Sequence, residues 1–308
     1  MAFSFRQLKY FVATAETGQV SQAAIQLCIT QSAVTAAIRQ LEEVLATSLF
    51  VRHPQGMVLT DCGRRFLGHA YEIMANVEEA MLLGKRDGDF AGRLTVAASY
   101  TVMGYFLPAH VCRLSALYPQ LRIELFELSR EDIEAGLLRQ DFDVAVLLTS
   151  NVDNPALRLE PIISSPRRLW LPAQHPLLSH PAPDLQDIAE QPYIMLTVDE
   201  AEQTTWRYWQ QSPWQPQVRV RTSSVEAVRS MVANGSGVSI LSDMVFRPWS
   251  LEGRRIETVS LHGLVPPMTL GLAWKAGSEV SPAIALFRDY FRQQFMSPAS
   301  SQRSAAAR

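Results

Sequence analysis

The sequence lacks the features of exported, membrane-spanning and disulfide-stabilised proteins. It has no run of about 18 uncharged apolar residues, so we expect no membrane-spanning helix and no membrane partner. Its first residues lack the charged and then apolar layout of a signal peptide. It has only three cysteines, Cys28, Cys62 and Cys112, which are far apart along the chain. We therefore expect a cytoplasmic protein with reduced thiols, and a redox-sensing cysteine is the alternative.

Patterns that would mark an enzyme or a metal protein are also missing. The six histidines are scattered without the spacing of metal ligands, and no phosphate-binding loop or paired-carboxylate pattern occurs. The segment 234–238 (NGSGV) has neither the spacing of a nucleophile elbow nor the strand-glycine-helix order of a dinucleotide loop. We therefore expect no catalytic residues, no metal and no cofactor. The formal net charge of -2 also means that any basic surface for nucleic acid must be local.

The first sixty residues have the pattern of three helices followed by a hairpin. Ser4 can cap the first helix, and Gly18 can end it. Ser21 can cap a second, short helix, and Thr30 can cap a third. Two short apolar runs on either side of residues 53–56 predict a two-stranded hairpin. Two helices joined by a three-residue turn indicate a helix-turn-helix, and the hairpin is placed as a wing.

The third helix predicts a surface that reads DNA. Ser32, Thr35 and Arg39 recur at i, i+3 and i+7, a stripe that suits base edges and phosphates in a major groove. The alternative is a helical hairpin with a solvated polar face, and six basic against four acidic residues over 1–69 do not decide between them. The residues predicted to contact DNA are Ser21, Thr30, Gln31, Ser32, Thr35, Arg39, Arg52 and His53.

A long helix over 63–83 follows the hairpin. Phe66, Ala70, Ile73 and Val77, with Ala80, recur in steps of four and three, which is a heptad seam that needs a partner helix. The seam predicts dimerisation, and the alternative is an ordinary helix that lies on its own domain. The glycine-rich stretch 84–92 is the predicted hinge.

Beyond the hinge, short apolar strands alternate with helices. Strands at 94–98, 123–127 and 144–148, with helices at 107–117 and 131–138, predict a mostly parallel sheet covered by helices. The same alternation continues with strands at 169–171, 193–196, 218–220, 238–241 and 269–274 and helices at 225–234 and 283–295. Trp206, Tyr208 and Trp209 are predicted to pack in a core rather than stack on a ligand.

The N-terminal segment resembles the DNA-binding region of the LysR-type transcriptional regulators. The shared pattern occurs in order as Phe5-x-x-Leu8-x-x-Phe11, Ser21-x-Ala23-Ala24-x-x-Leu27, Thr30-Gln31-Ser32-Ala33-Val34, Ile38-x-x-Leu41-Glu42, Leu49-Phe50-x-Arg52 and Leu59-Thr60-x-x-Gly63. The family usually has glycine where this chain has Ala46, and Thr35 replaces a frequent serine. Alanine at that position costs up to about 1 kcal/mol if φ is positive.

The resemblance implies an α/β fold class and four segments. These are a winged helix-turn-helix DNA-binding domain over 1–62, a linker and dimerisation helix with the hinge over 63–91, an effector-binding domain over 92–296 and a disordered tail over 297–308. The effector domain is expected to be two-lobed and similar to periplasmic binding proteins. Lobe I would comprise 92–161 and 269–296, and lobe II 162–268, with crossing strands near 160–163 and 265–268.

The resemblance also implies a ligand-responsive transcriptional regulator. Its expected partners are a pseudo-palindromic promoter site in double-stranded DNA, a small-molecule effector, further copies in a homodimer or homotetramer, and RNA polymerase. Whether it activates or represses is left open. The alternatives from other classes are a solute-binding protein and an enzyme on the same two-lobed scaffold.

Ligands in such folds bind at the carboxyl ends of strands and the N-termini of helices. The residues predicted to bind the effector are Ser99, Tyr100, Thr101, Ser129, Thr149, Thr197, Val198 and Ser224. Hydroxyls and amides at residues 99–101 suit an anionic group, so a carboxylate or an amino acid is the favoured effector. The alternative is a helix cap with no ligand. Asp199, Glu200 and Glu202 could meet an amino group, and a solvated acidic loop is the alternative.

Overall fold

The computed structural model describes residues 3–53, 56–82, 90–180, 183–261 and 265–295. The chain divides into two compact units between residues 88 and 89. Among the described residues, no helix is both long and apolar enough to cross a membrane. The predicted tail over 297–308 and residues 84–89 of the predicted hinge lie outside the described residues.

Eleven α-helices and twelve strands occur in the described parts of the chain. The helices are α1 (Phe5–Thr17), α2 (Val20–Gln26), α3 (Gln31–Leu45), α4 (Asp61–Leu82), α5 (Tyr100–Tyr105), α6 (Leu107–Leu117), α7 (Arg130–Arg139), α8 (Leu185–Ala189), α9 (Ala201–Trp209), α10 (Val225–Ala233) and α11 (Pro282–Phe295). The strands are β1 (Phe50–His53), β2 (Gly56–Leu59), β3 (Gly92–Ala98), β4 (Leu121–Glu127), β5 (Val144–Leu148), β6 (Leu157–Ser165), β7 (Arg167–Pro172), β8 (Pro192–Leu196), β9 (Gln217–Thr222), β10 (Ser239–Ser242), β11 (Ile256–Ser260) and β12 (Met268–Lys275).

Local signals in the sequence set the ends of α1 and α3. Ser4 and Gln7 cap α1 reciprocally, and Gly18 ends it in the left-handed conformation at φ 69°. Thr30 caps α3 as predicted, and Ala46 ends it at φ 49°. Because alanine is strained at positive φ, the C-terminus of α3 carries the cost that the sequence suggested. The buried apolar side chains of α1, α2 and α3 form the core of this unit.

Contacts between backbone and side chains fix the wing, β1 and β2, to α3. A carboxylate oxygen of Glu42 accepts hydrogen bonds from the backbone N–H groups of Leu49 at 2.7 Å and Phe50 at 3.1 Å. Gly63, in the first turn of α4, is packed against the same segment, since a Cβ at this position would lie 2.1 Å from the carbonyl oxygen of Leu49. Only glycine permits this approach, which gives a physical reason for the glycine in the pattern Leu59-Thr60-x-x-Gly63.

The N-terminal half of the predicted heptad seam packs on its own unit. The ring of Phe66 lies 5.1 Å from that of Phe11 and 5.8 Å from that of Phe3, and Ala70 is fully buried. Ile73 and Val77 are half-buried, and the side chain of Ala80 lies outside the described residues. The first two seam positions therefore follow the alternative interpretation, a helix lying on its own domain, and the next two positions are less fully covered.

The first lobe of the second unit is a five-stranded sheet in the order β4-β3-β5-β12-β6. β3 pairs parallel with β4 and β5, whereas β12 pairs antiparallel with β5 and β6. Alternate side chains of β3 face opposite sides: Val96 packs in one core with α11, and Ala97 packs in another with α7. Both faces are thus covered by helices, as predicted, but the sheet is mixed.

The second lobe contains a three-stranded sheet, β10-β7-β11, in which both pairings are antiparallel. A parallel pair, β8 and β9, lies beside it and is joined to it by a bridge between Tyr193 and Val238. The predicted mostly parallel sheet is therefore wrong for this lobe. Tyr208 and Trp209 are buried in its core, which confirms that they pack rather than stack on a ligand.

The strands that join the lobes pair with each other. β6 and β12 are antiparallel neighbours up to the pair Ser165 and Met268, where both leave the first sheet. The segment 160–163, predicted as a crossing, lies inside β6, and the passage to β7 occurs at Pro166. A cavity between the lobes lies at this junction, and the residues that form it are described below.

Candidate functional site

α3 exposes the polar stripe that the sequence singled out. Gln31, Ser32 and Arg39 are exposed and Thr35 is half-buried, while Val34, Ile38 and Leu41 on the opposite side are buried against α1 and α2. The helix therefore presents two hydroxyls, an amide and one cation along a single face. Such a set can donate to and accept from base edges and can neutralise a phosphate.

The N-terminal turn of α3 is organised by Thr30. Its hydroxyl oxygen accepts from the backbone N–H of Ala33 at 3.3 Å and lies 3.0 Å from the hydroxyl of Ser32. The expectation that Ser21 caps α2 is wrong. The helix begins one residue earlier, at Val20, with Gln19 in the capping position, and Ser21 is half-buried in its first turn.

The base of α3 borders a cavity of about 160 Å³ beside α2 and the wing. It is lined by Val20, Thr35, Ile38, Arg39, Glu42, Phe50 and Met57. Arg52 and His53 lie on β1. Their side chains, for which DNA contacts were predicted, lie outside the described part of the structure. Thr35 and Arg39 of the polar stripe on α3 thus line the same cavity as Phe50 and Met57 of the wing.

A second cavity, of about 40 Å³, lies between the two lobes of the second unit. Its polar lining residues are Thr101, Arg167, Asp199, Thr204, Thr205 and Ser242, and its apolar ones are Leu148, Leu196, Val198, Ala201, Ile240, Leu241, Val245 and Met268. Thr101 and Leu148 come from the first lobe and most of the others from the second. A few polar groups in a mainly apolar wall are typical of small-molecule sites.

A carboxylate of the chain occupies the N-terminus of α5. One oxygen of Asp199 accepts from the backbone N–H of Tyr100 at 3.2 Å. The other accepts from the backbone N–H of Thr101 at 2.7 Å and from its hydroxyl at 2.5 Å. These donors belong to the first lobe, and Asp199 follows β8 in the second. The hydroxyl of Ser99, which precedes α5, is buried and has no hydrogen-bond partner among the described residues.

The next residue makes a second bridge between the lobes. A carboxylate oxygen of Glu200 lies 3.3 Å from Nε of Arg130, and the other accepts from the side-chain amide of Asn151 at 3.3 Å. Burial raises the pKa of Glu200 above its ordinary value, against the opposing effects of Asn151 and Arg130. Asp199 and Glu200 both have positive φ, 52° and 56°, and no other two consecutive residues do so among the described non-glycine residues.

A third acidic residue, Glu226 on α10, also reaches the first lobe. Its carboxylate accepts from the hydroxyl of Tyr105 at 2.9 Å and pairs with the buried Arg229. Burial and the hydrogen bond to Glu226 raise the pKa of Tyr105 to about 12. At these three bridges the second lobe supplies carboxylates and the first supplies donors.

Arg167 gives the cavity a positive charge. One of its terminal nitrogens donates to the carbonyl oxygen of Pro266 at 2.5 Å, and no carboxylate of the described residues forms an ion pair with it. Its neighbour Arg168 pairs with Asp243 at 2.9 Å. Burial lowers the pKa of Arg167, but a guanidinium remains charged, so the cavity can hold an anion.

The structure brings together only part of the predicted effector site. Thr101 and Val198 line the cavity. Ser99 and Tyr100 directly precede Thr101 at the start of α5 and are not among the lining residues. The other four predicted residues are bonded within the chain. Ser129 caps α7 and Ser224 caps α10. The hydroxyl of Thr149 donates to the carbonyl oxygen of Thr269, and the backbone N–H of Thr197 donates to the carbonyl oxygen of Thr222.

Several cavity residues carried no signal in the sequence. Arg167, Thr204, Thr205 and Ser242 line the cavity but were not predicted. The first three follow no predicted strand, whereas Ser242 directly follows the predicted strand 238–241 and could have been found by the same rule. The acidic residues at 199–202 fit neither sequence interpretation, since two of them bridge the lobes and Glu202 pairs with Arg221. All three cysteines are free, and no group of three metal-ligating side chains occurs within the described part of the chain.

Two family models match the chain. Residues 5–64 match the "Bacterial regulatory helix-turn-helix protein, lysR family", and residues 87–296 match the "LysR substrate binding domain". The "RuBisCO operon transcriptional regulator" of Allochromatium vinosum is 29% identical over 94% of this chain and 96% of its own length. The "HTH-type transcriptional regulator CfxR" of Cupriavidus necator is 29% identical over 78% of this chain and 76% of its own.

Solved structures agree with these matches. The crystal structure of HinK, a LysR family transcriptional regulator from Pseudomonas aeruginosa, superposes with a TM-score of 0.62 at 27% identity. The superposition covers 95% of this chain and 98% of that one. The similarity therefore extends over both units and is not limited to the helix-turn-helix.

Proposed function

This chain belongs to the LysR family of bacterial DNA-binding transcriptional regulators, and from that premise we propose that α3 reads a promoter site while a small organic anion, bound between the lobes, controls transcription. The family consists of regulators rather than enzymes. The observation that carries the proposal is the pairing of an exposed recognition stripe in one unit with an inter-lobe cavity that contains Arg167 in the other.

The polar stripe of α3 supports the first half of the proposal. Thr35 and Arg39 lie on one face of the helix, next to the wing, where a major groove would receive them. We assign base contacts to Gln31, Ser32 and Thr35, and a contact to a base or a phosphate to Arg39. Ser21, Thr30, Arg52 and His53 are assigned to the flanking phosphates.

Selection from random duplex DNA tests this assignment without knowledge of the target operon. With the selected site, Thr35→Ala combined with Arg39→Ala should weaken binding by about 2–4 kcal/mol and flatten the salt dependence by about one ion. Arg93→Ala is the matched control, because Arg93 is an exposed arginine of the second unit that pairs with Glu124. If the double variant binds with unchanged affinity and salt dependence, α3 is not the recognition helix.

The chemistry of the cavity supports an anionic effector. Arg167 lacks a carboxylate partner among the described residues, and the donors of Tyr100 and Thr101 already hold a carboxylate, that of Asp199. Eight of the fourteen lining residues are apolar, so a compact organic acid with an apolar body fits this wall better than an inorganic ion. We favour a carboxylic acid over an amino acid, because the acidic residues near the cavity are engaged within the chain.

A thermal-shift screen of the full chain against organic acids, amino acids and amines tests the effector class. A ligand at about a hundred times its dissociation constant adds roughly 2.7 kcal/mol, which corresponds to about 5–10 °C for a domain of this size. The response should be lost in Arg167→Ala and in Ser99→Ala combined with Thr101→Ala. A hit among amines that survives both substitutions would contradict the anionic class.

We further propose that the chain works in the cytoplasm as a homodimer or homotetramer that binds successive major grooves and acts with RNA polymerase. The half-buried Ile73 and Val77 of α4 support a partner helix. Sedimentation of the full chain checks this: Ile73→Asp combined with Val77→Asp should yield monomers. Tyr71→Ala, on an exposed residue of the same helix, should leave the assembly intact.

A further inference from the structure

The effector site proposed above is small. A cavity of about 40 Å³ has room for about three water molecules, which is less than the volume of a compact organic acid. The carboxylate-bearing residue Asp199 lines this cavity, and the next residue, Glu200, bridges the lobes beside it. These two consecutive residues are here called the inter-lobe latch. An effector larger than this space can therefore bind only if the lining residues move.

The carboxylate of Asp199 is placed as a bound carboxylate would be. Three donors of the first lobe converge on it, two backbone N–H groups and the hydroxyl of Thr101, at 2.5 to 3.2 Å. Its side chain ends in the same group as acetate. The donors are thus satisfied by an internal group that belongs to the opposite lobe.

The backbone that delivers this carboxylate is strained. Asp199 and Glu200 have φ of 52° and 56°, a region that non-glycine residues adopt at a cost. Two such residues in succession persist only if the surrounding contacts hold them there. The contacts that hold them are the bonds of Asp199 to α5 and of Glu200 to Arg130 and Asn151. Releasing Asp199 would let the turn relax.

We propose that Asp199 is an internal competitor of the effector: its carboxylate holds the donors of Tyr100 and Thr101 in the unliganded regulator, and the carboxylate of the effector displaces it and releases the second lobe. The effector-binding function proposed above is the premise here. Displacement exchanges one carboxylate for another on the same donors, so no covalent bond changes. Asp199 therefore sets both the class of effector and the threshold concentration for binding.

Chemical rescue by acetate tests the competition directly. In Asp199→Gly the carboxylate is deleted and the positive φ becomes unstrained, so the variant is expected to fold. Sodium acetate at tens of millimolar, compared with sodium chloride at equal ionic strength, should raise the melting temperature of full-length Asp199→Gly by about 3 °C. Wild type should shift by less than about 1 °C, because its donors are already occupied.

Two further variants control this experiment. Glu202→Gln removes a neighbouring carboxylate that bonds only within the second lobe, to Trp206 and Arg221, and should respond as wild type does. Thr101→Val in the Asp199→Gly background removes one of the three donors and should at least halve the acetate response. Equal shifts in wild type and Asp199→Gly, or no shift in either, would overturn the proposal.

Footprints on the selected duplex separate this inference from the proposed function. Without acetate, full-length Asp199→Gly should give a footprint that differs from that of wild type, because its second lobe is released. Acetate should leave this footprint unchanged, because it refills the donors without a link to the second lobe. If acetate shifts the melting temperature of Asp199→Gly but its footprint equals that of wild type, the latch stands and the proposed control of DNA binding fails. If the footprint responds to an effector from the screen but acetate rescue is absent, the latch fails and the function stands.

Discussion

The two candidate sites differ in how they use the chain around them. On α3 the polar side chains face outward from one continuous segment, and their apolar neighbours hold the helix in place. Between the lobes, the polar groups come from distant segments, and most already bond to the chain itself. The polar side chains of α3 can bind a partner without rearrangement, whereas those between the lobes must give up internal hydrogen bonds to bind a ligand. The polar surface of the N-terminal unit is thus preformed, whereas a ligand between the lobes would have to displace internal contacts.

The largest expected effect separates the stability of the two units. Gly63→Ala should lower the free energy of unfolding of the N-terminal unit by about 3 kcal/mol, because its Cβ would collide with the backbone at Leu49. Amide hydrogen exchange resolved by peptide should show the loss in α1–α4 only. Tryptophan fluorescence should be unaffected, since all six tryptophans lie at residue 170 or later.

Gly68→Ala is the matched control on the same helix. No atom lies within 4 Å of a Cβ at this position, so the substitution should stabilise α4 by about 0.5–1 kcal/mol. If Gly63→Ala also shifts the fluorescence transition, the two units do not unfold independently, and the comparison of the two units as separate bodies is wrong.

A smaller effect belongs to the sensor unit alone. The ring of His110 packs against Phe106 and Phe291, and its Nδ1 lies 3.0 Å from the hydroxyl of Tyr290. Burial, and next the charge of Arg113, lower the pKa of His110 to about 4. The unfolded chain takes up this proton near pH 6.5 and the folded chain only near 4. The contribution of the neutral His110 to the free energy of unfolding is therefore complete above pH 6.5 and is lost as the pH falls towards 4.

Urea titrations followed by tryptophan fluorescence would measure this loss. Between pH 7 and pH 4 the wild type should lose up to about 3 kcal/mol through His110, and His110→Phe should be less sensitive to pH by that amount. His69→Gln, on an exposed histidine of the other unit, should keep the wild-type dependence. Parallel curves for wild type and His110→Phe would show that the folded histidine titrates normally.

The smallest effect refines the description of the N-terminal unit as preformed. Ala46 ends α3 at φ 49°, so Ala46→Gly should relieve strain and raise the free energy of unfolding by about 0.5 kcal/mol. Ala36→Gly, on an exposed position in the middle of the same helix, should lower it by about 1 kcal/mol. Hydrogen exchange at the C-terminus of α3 would register both, and equal losses would mean that Ala46 is not strained.

Local signals predicted the fold well wherever neighbouring residues determine it. The capping of α1 by Ser4, the capping of α3 by Thr30 and the bounds of β5 agree with expectation. Strand direction did not follow from the same patterns, because an apolar run of five residues is compatible with either pairing. β12 is antiparallel to β5 because the chain returns to the first sheet from the second lobe. The residues of β12 themselves do not indicate this direction.

The candidate sites show the same limit. The polar residues of α3 recur at helical spacing within one segment, so their periodicity was enough to find them. The cavity joins residues about 170 positions apart, from Thr101 to Met268, and its key contact links Thr101 to Asp199. Sequence reasoning placed Asp199 at the cleft but gave it an external partner, since only the folded chain shows which donors lie within its reach.

The pairing of β6 with β12 has a mechanical consequence. Both connections between the lobes belong to one antiparallel ribbon, hydrogen-bonded up to Ser165 and Met268. A body attached through a single ribbon can swing about its end but cannot be pulled straight away without breaking the ladder. Release of one lobe from the other would therefore be a rotation about the end of this ribbon rather than a separation along it, so a regulator built this way would respond to its effector by a change of angle.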